Sequence, residues 1–383
     1  MLPQPPKPTA ISSGNHHVLV TGTTGFIGGT IIETLLQRHD VTEITCFNRR
    51  IPSNPPPSAK QMNYLQGDLS QPLFNLREKT YNHLVSTVTE VIHCQWPVTF
   101  NLPLALFEPQ IAGITNLIRL AYDSPQNTRI IFLSSIATIQ GWDQGTPVPE
   151  EPLSSLAFAQ GGYGQSKMLA SKLLDQAAAL SGVPSAVCRV GQIAGPVDKI
   201  GHAAWPERDW FPTLLRASQI MGVLPASLGR FNDVDWLPVD VLTEALAFLA
   251  LDLDGPAEMD AENEGAAYFH FANPSASSYT NLVPAIVRRL RSSKPVEVVG
   301  SLAEWIERLA GWKPGADGDK ESNESIMAGA MALLEFYQGL ASNLDQPNVM
   351  LDTAATVKRI PMLKGVGAVS AEWMELWLDQ WAF

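Results

Sequence analysis

A phenol and an ammonium four residues apart on one helix can act as a proton donor beside the cation that tunes it, and GGYGQSK (161–167) has that arrangement. Of the seven tyrosines, Tyr163 alone has a lysine four positions on. A phenol with its ordinary pKa near ~10 is a poor acid–base at neutral pH unless nearby positive charge favours the phenolate. Lys167 supplies that charge and is also placed to reach ribose hydroxyls. A third group should orient a carbonyl oxygen, and FLSSIA (132–137) offers Ser134 and Ser135 at the end of a strand-like run. In open α/β sheets that is the edge where ligands bind. Alone, Tyr-x-x-x-Lys is more often a surface pair. The serine strand and a glycine loop further upstream turn the reading to catalysis by Ser135, Tyr163 and Lys167.

The glycine loop is TGTTGFIGG, with Gly22, Gly25 and Gly28 spaced GxxGxxG. It follows the apolar run VLVT and opens an amphipathic segment with Ile27, Ile31, Ile32 and Leu35 on one side. That context makes it a dinucleotide loop: glycine for the tight turn, close backbone approach to a pyrophosphate, and a helix N-terminus facing the phosphates. NAD-binding proteins place an acid at the end of the second strand to hold the ribose 2′-hydroxyl. Here CFNRR (46–50) has Asn48, Arg49 and Arg50 and no acid. Two guanidiniums suit a 2′-phosphate, so the expected cofactor is NADPH. Asp68, in QGDL with Leu69, is placed to bond the adenine amine.

These groups need a scaffold. VLVT (18–21), ITCF (44–47), MNYLQ (62–66), TEVIH (89–93), RIIFLS (129–134) and SAVCRV (185–190) read as strands. Helical periodicity fills 26–38, 104–122 and 163–181, and Gly182 with Pro184 stops the last of these. The alternation predicts an α/β fold: a Rossmann-type, doubly wound parallel sheet with helices on both faces. Beyond Gly195–Pro196 the chain turns irregular and rich in tryptophan. A helix over 239–251 and a strand at AAYFHF (266–271) return to the sheet. The expected division is a Pro-rich linker (1–15), a nucleotide-binding domain (16–200, completed by 231–272), and a smaller, mainly helical C-terminal subdomain for substrate and carrier (201–230 and 273–383). The polar run ADGDKESNES (316–325) reads as a loop.

Composition sets limits. A formal net charge of −12 argues against general nucleic-acid binding. No run of about 18 uncharged apolar residues offers a membrane span. Cys46, Cys94 and Cys188 have no metal-ligand spacing and read as buried thiols of a reducing, cytoplasmic compartment. The opening MLPQPPKPTAISSGN lacks the apolar core of a signal peptide and resembles an interdomain linker.

TGTTGFIGG, FLSSIA, YGQSK and CRVGQIAGP together resemble the extended short-chain dehydrogenase/reductases. Three longer strings carry a narrower resemblance: QWPVTFNLPLALFEP (95–109), RVGQIAGPVDK (189–199) and MGVLPASLGRFNDVDWLPVD (221–240). They are similar to the C-terminal thioester reductase domain of fungal adenylate-forming carboxylate reductases and related peptide-synthetase-like enzymes. The resemblance implies that Gly22, Thr23, Thr24, Gly25, Phe26, Ile27 and Gly28 cradle the cofactor phosphates. It implies that Arg49 and Arg50 hold the 2′-phosphate, and that Val190, Gly191 and Ile193 run beside the nicotinamide. Ser135, Tyr163 and Lys167 become the catalytic triad. Gln110 stands where many superfamily members have an asparagine that organises a relay water, which puts that relay in doubt. The implied reaction is NADPH-dependent release of an acyl thioester from a phosphopantetheinylated carrier domain as an aldehyde. Reduction of a free aldehyde or ketone is the alternative, and a silent dinucleotide sensor would usually have lost Tyr or Lys.

Weaker candidates remain open in both directions. Trp205, Trp210, Phe211 and Met221 are either an apolar wall for the acyl group or ordinary packing. His93 reads as a satisfied core histidine. Arg288, Arg289 and Arg291 read as a solvated helix face, with contact to an acidic carrier as the sharper option.

Overall fold

The strand β1 (His16–Thr21) is buried along its whole length, as a strand covered on both faces of a parallel sheet must be. The computed structural model describes residues 15–51, 62–99, 102–198, 203–253, 265–290, 295–313, 320–342 and 349–383. The Pro-rich lead, Arg291 and residues 316–319 lie outside them. β1 is joined by β2 (Val41–Asn48), β3 (Met62–Gln66), β4 (Glu90–His93), β5 (Arg129–Leu133), β6 (Ser185–Val190) and the strand Ala267–Phe271. Their order is Ala267–Phe271, β6, β5, β4, β1, β2, β3, and every pairing is parallel. The order reverses between β1 and β4, and such a switch point leaves a crevice outside the carboxyl ends of the strands.

The helices that serve this edge are α1 (Phe26–Leu36), α2 (Glu78–Thr87), α3 (Glu108–Asp123), α4 (Gly161–Ser181) and, later in the chain, α6 (Val239–Leu251). α1 packs against α6, and α3 against α4. α4 ends at Gly182 with φ +66°, the left-handed cap that glycine adopts without strain.

The described residues divide into two compact units. One holds those up to Gly191 with Val239–Ala272 and Val349–Lys364; the other holds Gln192–Pro238, Asn273–Asn348 and Gly365–Phe383. Three boundaries differ from the expected ones, the first being that the second unit begins at Gln192 and not after residue 200. Residues 231–238 belong to the second unit because Leu237–Pro238 pairs with Ile193–Ala194. Residues 349–364 belong to the sheet unit because Leu351 bridges to Val148, and Glu150 accepts from the Ala355 and Thr356 amides at 2.8 and 3.0 Å. Another expectation fails too: Lys320–Ala332 is a helix, so the loop reading of 316–325 is wrong from Lys320 on. Glu, Lys, Met and Ala favour helix, and charge density there was no sign of a loop.

The second unit is mainly helical, with α5 (Trp210–Met221) and helices at Tyr279–Leu290, Leu302–Ala310, Lys320–Ala332, Leu334–Ala341 and Ala371–Gln380. Its core is aromatic. Trp205 stacks on Phe211 at 5.8 Å and meets Trp236 and Trp377 edge-on at 5.6 and 5.4 Å. Several of the buried indoles find an acceptor: Trp205 on Asp209 at 3.0 Å, Trp210 on Gln192 at 2.7 Å, and Trp381 on the Trp205 carbonyl at 2.8 Å. Packing therefore claims Trp205, Trp210 and Phe211, while Met221 is half-buried at the end of α5. No described helix is long and apolar enough to cross a membrane.

Candidate active site

Gly22 leaves β1 with φ +73°, and a Cβ on it would lie 2.9 Å from the backbone of Gln95. The loops after β1 and β4 thus touch across the switch point, which only glycine permits. A Cβ on Gly28 would lie 2.2 Å from the Gly22 carbonyl, so α1 begins directly against the turn. Gly25 caps α1 with no side-chain hydrogen bond, leaving the first amides of the helix available to an anion. Thr24 and Gly25 are exposed, and Phe26 and Ile27 are half-buried beside them. Thr23 is pinned from below by the Asn48 amide at 2.7 Å. Asn48 thereby shapes the glycine loop, a role its sequence position alone did not suggest.

Beside this loop lies a cavity of about 360 Å³ lined by Arg49, Asp68, Leu69, His93, Gln95 and Gln110, among others. Three buried polar atoms on its lining residues have no protein partner: His93 Nε2, Gln95 Oε1 and Gln110 Oε1. Orphans of this kind cost roughly 1–3 kcal/mol each unless a ligand or water meets them. The cradle and the orphaned lining together fit a dinucleotide. Asp68 is half-buried, and its carboxylate accepts from the Ser70 amide and hydroxyl at 3.0 and 2.7 Å. α3 locks the same turn, with the Asn116 amide donating to the Leu69 carbonyl at 2.7 Å. Arg49 lines the cavity; Arg50 is exposed and is not among its lining residues. Val190 is buried, and Gly191 donates to the Phe271 carbonyl at 2.9 Å. Ile193 lies in the second unit.

His93 is only half the satisfied core histidine expected. Its Nδ1 lies 2.7 Å from Thr21 Oγ1, and that oxygen also accepts the Gln95 amide at 3.3 Å. Burial holds its pKa down to about 3, so it is neutral, with Nε2 left for the cavity. Gln110 joins it there, which gives that departure from the superfamily pattern a place on the cavity wall.

Tyr163, Lys167 and Ser135 come together at the ends of β5 and α4. Ser135 Oγ accepts from the Ala137 amide at 3.1 Å and hydrogen-bonds the Tyr163 hydroxyl. Burial pushes the tyrosine up to about 12 and the lysine down to about 7. The Lys167 ammonium donates to the Leu133 carbonyl. Ser134 faces elsewhere, 3.1 Å from Ser171 Oγ, and serves the helix packing. The glycines flanking Tyr163 explain how α4 gets so close. A Cβ on Gly162 would lie 2.1 Å from the Leu102 carbonyl, and one on Gly164 would lie 2.4 Å from that of Ala137. The GGYG string reports close approach on two sides, a signal the sequence carried and the Tyr–Lys spacing overshadowed.

Two other expectations resolve. Arg288 pairs with Glu375, and Arg289 with Asp379 at 2.5 Å, all on exposed side chains, so this helix face is solvated as expected and its charge is met by the neighbouring helix. Cys46, Cys94 and Cys188 are free thiols, all with pKa pushed up by burial.

Residues 55–246 match the NAD-binding family described as male sterility protein. The chain is 34% identical over 395 residues to a carboxylic acid reductase of Neurospora crassa, covering 100% of this chain and 36% of that protein. The chain thus spans about a third of that relative's length. Among solved structures, the terminal R domain of the myxalamid PKS-NRPS pathway superposes with a TM-score of 0.76 at 23% identity, over 97% of this chain and 91% of that one. An archaeal thiolation-reductase di-domain of a non-ribosomal peptide synthetase gives 0.68 at 17%, over 97% and 76%. These likenesses carry the fold.

Proposed function

The chain belongs to the NAD-binding male sterility protein family, and from that premise we propose that it is an NADPH-dependent reductase releasing a carrier-bound acyl thioester as an aldehyde. The observation that supports this most is the meeting of Ser135, Tyr163 and Lys167 at the sheet edge that also bears the glycine cradle. The likeness to a carboxylic acid reductase supports the reaction class. The di-domain neighbour, in which a thiolation domain accompanies the reductase, supports a phosphopantetheine-borne substrate.

When bound, NADPH supplies a hydride for the carbonyl carbon. Gly22, Thr23, Gly25 and the first turn of α1 would hold its phosphates, Arg49 its 2′-phosphate, and Asp68 with Leu69 its adenine. Ser135 and Tyr163 would hydrogen-bond the substrate oxygen as negative charge builds there. Burial pushes the tyrosine up to about 12, against the lowering expected from Lys167, so it holds its proton at neutral pH and would give it up only as negative charge builds on the substrate oxygen. Lys167 eases that donation by stabilising the phenolate left behind. Tyr163 would then take the hydroxyl proton back as the carbon–sulphur bond breaks, giving the aldehyde and a thiolate that takes its proton from water.

The test is NADPH oxidation with acyl-pantetheine thioesters set against the matching free acids and aldehydes. Turnover of thioesters supports reductive release. Turnover of aldehydes alone would move the chain to reductases of free carbonyls.

A further inference from the structure

The exit of β4, VIHCQWP, places aromatic rings around one ammonium. Trp96 lies 5.5 Å from Phe132 and 6.0 Å, edge-on, from His93, while His93 stacks on Phe132 at 5.8 Å. Lys167 Nζ sits 4.5 Å from the Trp96 centroid and 4.7 Å from that of Phe132, inside the roughly 6 Å reach of a cation–π contact. The Tyr163 ring lies at 6.0 Å. Among the described residues one oxygen meets this ammonium, the Leu133 carbonyl. Trp96 is itself anchored: its indole N–H donates to Ser166 Oγ at 3.2 Å, and that hydroxyl donates to the Tyr163 carbonyl at 2.7 Å. The ring is therefore tied to the first turn of the helix that carries both Tyr163 and Lys167.

We propose that Trp96, backed by Phe132, is the seat of the Lys167 ammonium, a positioning residue that keeps this lysine charged and alongside Tyr163. The proposal rests on reading Lys167 as the cation that supports Tyr163. The titratable groups facing Lys167 are Tyr163 on α4, and His93 and Cys94 at the end of β4, with Cys188 of β6 against Cys94. β5 contributes the Phe132 ring and the Leu133 carbonyl. Burial holds His93 down and both thiols up, so all three are neutral near pH 7. A carboxylate would stabilise the ammonium but cancel its field at the tyrosine. A ring face stabilises the charge without cancelling it, and it does not titrate.

The direct test is the pH titration of Lys167 by NMR of protein carrying ¹³C at lysine Cε, with the signal assigned by Lys167→Arg. In Trp96→Leu the midpoint should fall by about 0.5–1.5 pH units. Trp96→Phe should fall by less than half as much, because a ring remains. Site-specific fluorinated tryptophan at 96 keeps the shape while weakening the ring face, so the midpoint should drop with each fluorine; this arm holds even if Trp96→Leu fails to fold. The alkaline limb of kcat/KM should shift with the NMR midpoint. A folded variant whose lysine midpoint and alkaline limb match the unaltered chain would overturn the seat. If no carbonyl substrate is turned over, the proposed reaction fails, yet the titration still decides whether Trp96 seats the lysine.

Discussion

Lys167 and Arg189 are both buried cations, 3% and 1% exposed, and both sit over aromatic rings, yet they are held in opposite ways. Arg189 lies 4.6 Å from the Tyr268 ring and donates to the carbonyls of Pro149 and Glu151 at 3.1 and 2.8 Å and to His270 Nε2 at 2.9 Å. His270 in turn gives its Nδ1 proton to the Asp352 carbonyl at 2.6 Å. Burial lowers Arg189 only to about 10, so it stays charged near neutrality. Lys167 meets one carbonyl and two ring faces, and burial lowers it to about 7. The arginine is saturated by its own chain and fastens residues 149–151, 268–270 and 352 together. The lysine keeps donor capacity for something that is not protein. A buried cation left short of oxygens marks a site more clearly than burial or charge alone.

The largest expected effects break that comparison from either side. Arg189→Met strands two carbonyls and an imidazole, and should lower stability by about 3–5 kcal/mol in denaturant unfolding. Lys167→Met removes a charge with one oxygen partner, so the melting temperature should hold or rise while turnover drops at least ~100-fold. Equal loss of stability in both variants would erase the distinction.

Next in size is Gly164→Ala. Its methyl would press on the Ala137 carbonyl, shift the first turn of α4 and lower kcat by about 10- to 100-fold. Gly329→Ala meets nothing within 4 Å and serves as the control in the same assay. Arg49→Ala should weaken NADPH about tenfold in a fluorescence titration and leave NADH nearly unchanged, with Arg50→Ala milder. Equal weakening of both cofactors would remove the 2′-phosphate assignment.

The two histidines carry the same contrast into a pH dependence. His270 on the arginine side and His93 on the lysine side are both lowered from 6.5 to about 3 by burial. The unfolded chain therefore binds their protons first. Stability that is fully present above pH 6.5 is lost as pH falls from there toward 3, at about 1.4 kcal/mol per pH unit for each histidine. Unfolding measured at pH 7 and pH 5 should show this, and His270→Gln should flatten part of the slope.

The contrast also explains what could be read from sequence. β1 to β6, the glycine loop and the Tyr163–Lys167 pair are local patterns within a few residues, and Ser135 closes a strand-like run, so periodicity and motif order expose them. Arg189 sat unremarked in SAVCRV, although a charge inside a wholly buried strand always demands partners. Those partners, at 149, 151 and 270, lie far along the chain, as do the Glu150–Thr356 contacts that return 349–364 to the sheet unit. The roles of Trp96, Gly162 and Gly164 are facts of approach between segments, and no spacing rule contains them. The tryptophans of the second unit could be read either way because aromatic richness serves a core as readily as a binding wall, and the structure shows them packed on one another.

The most direct test of the central claim is rapid mixing of substrate with enzyme already saturated with NADPH, comparing the chain with Tyr163→Phe. NADPH affinity should be unchanged and the hydride-transfer rate at least ~100-fold slower in the variant. Equal rates would show that the proton comes from elsewhere and that Tyr163 is packing.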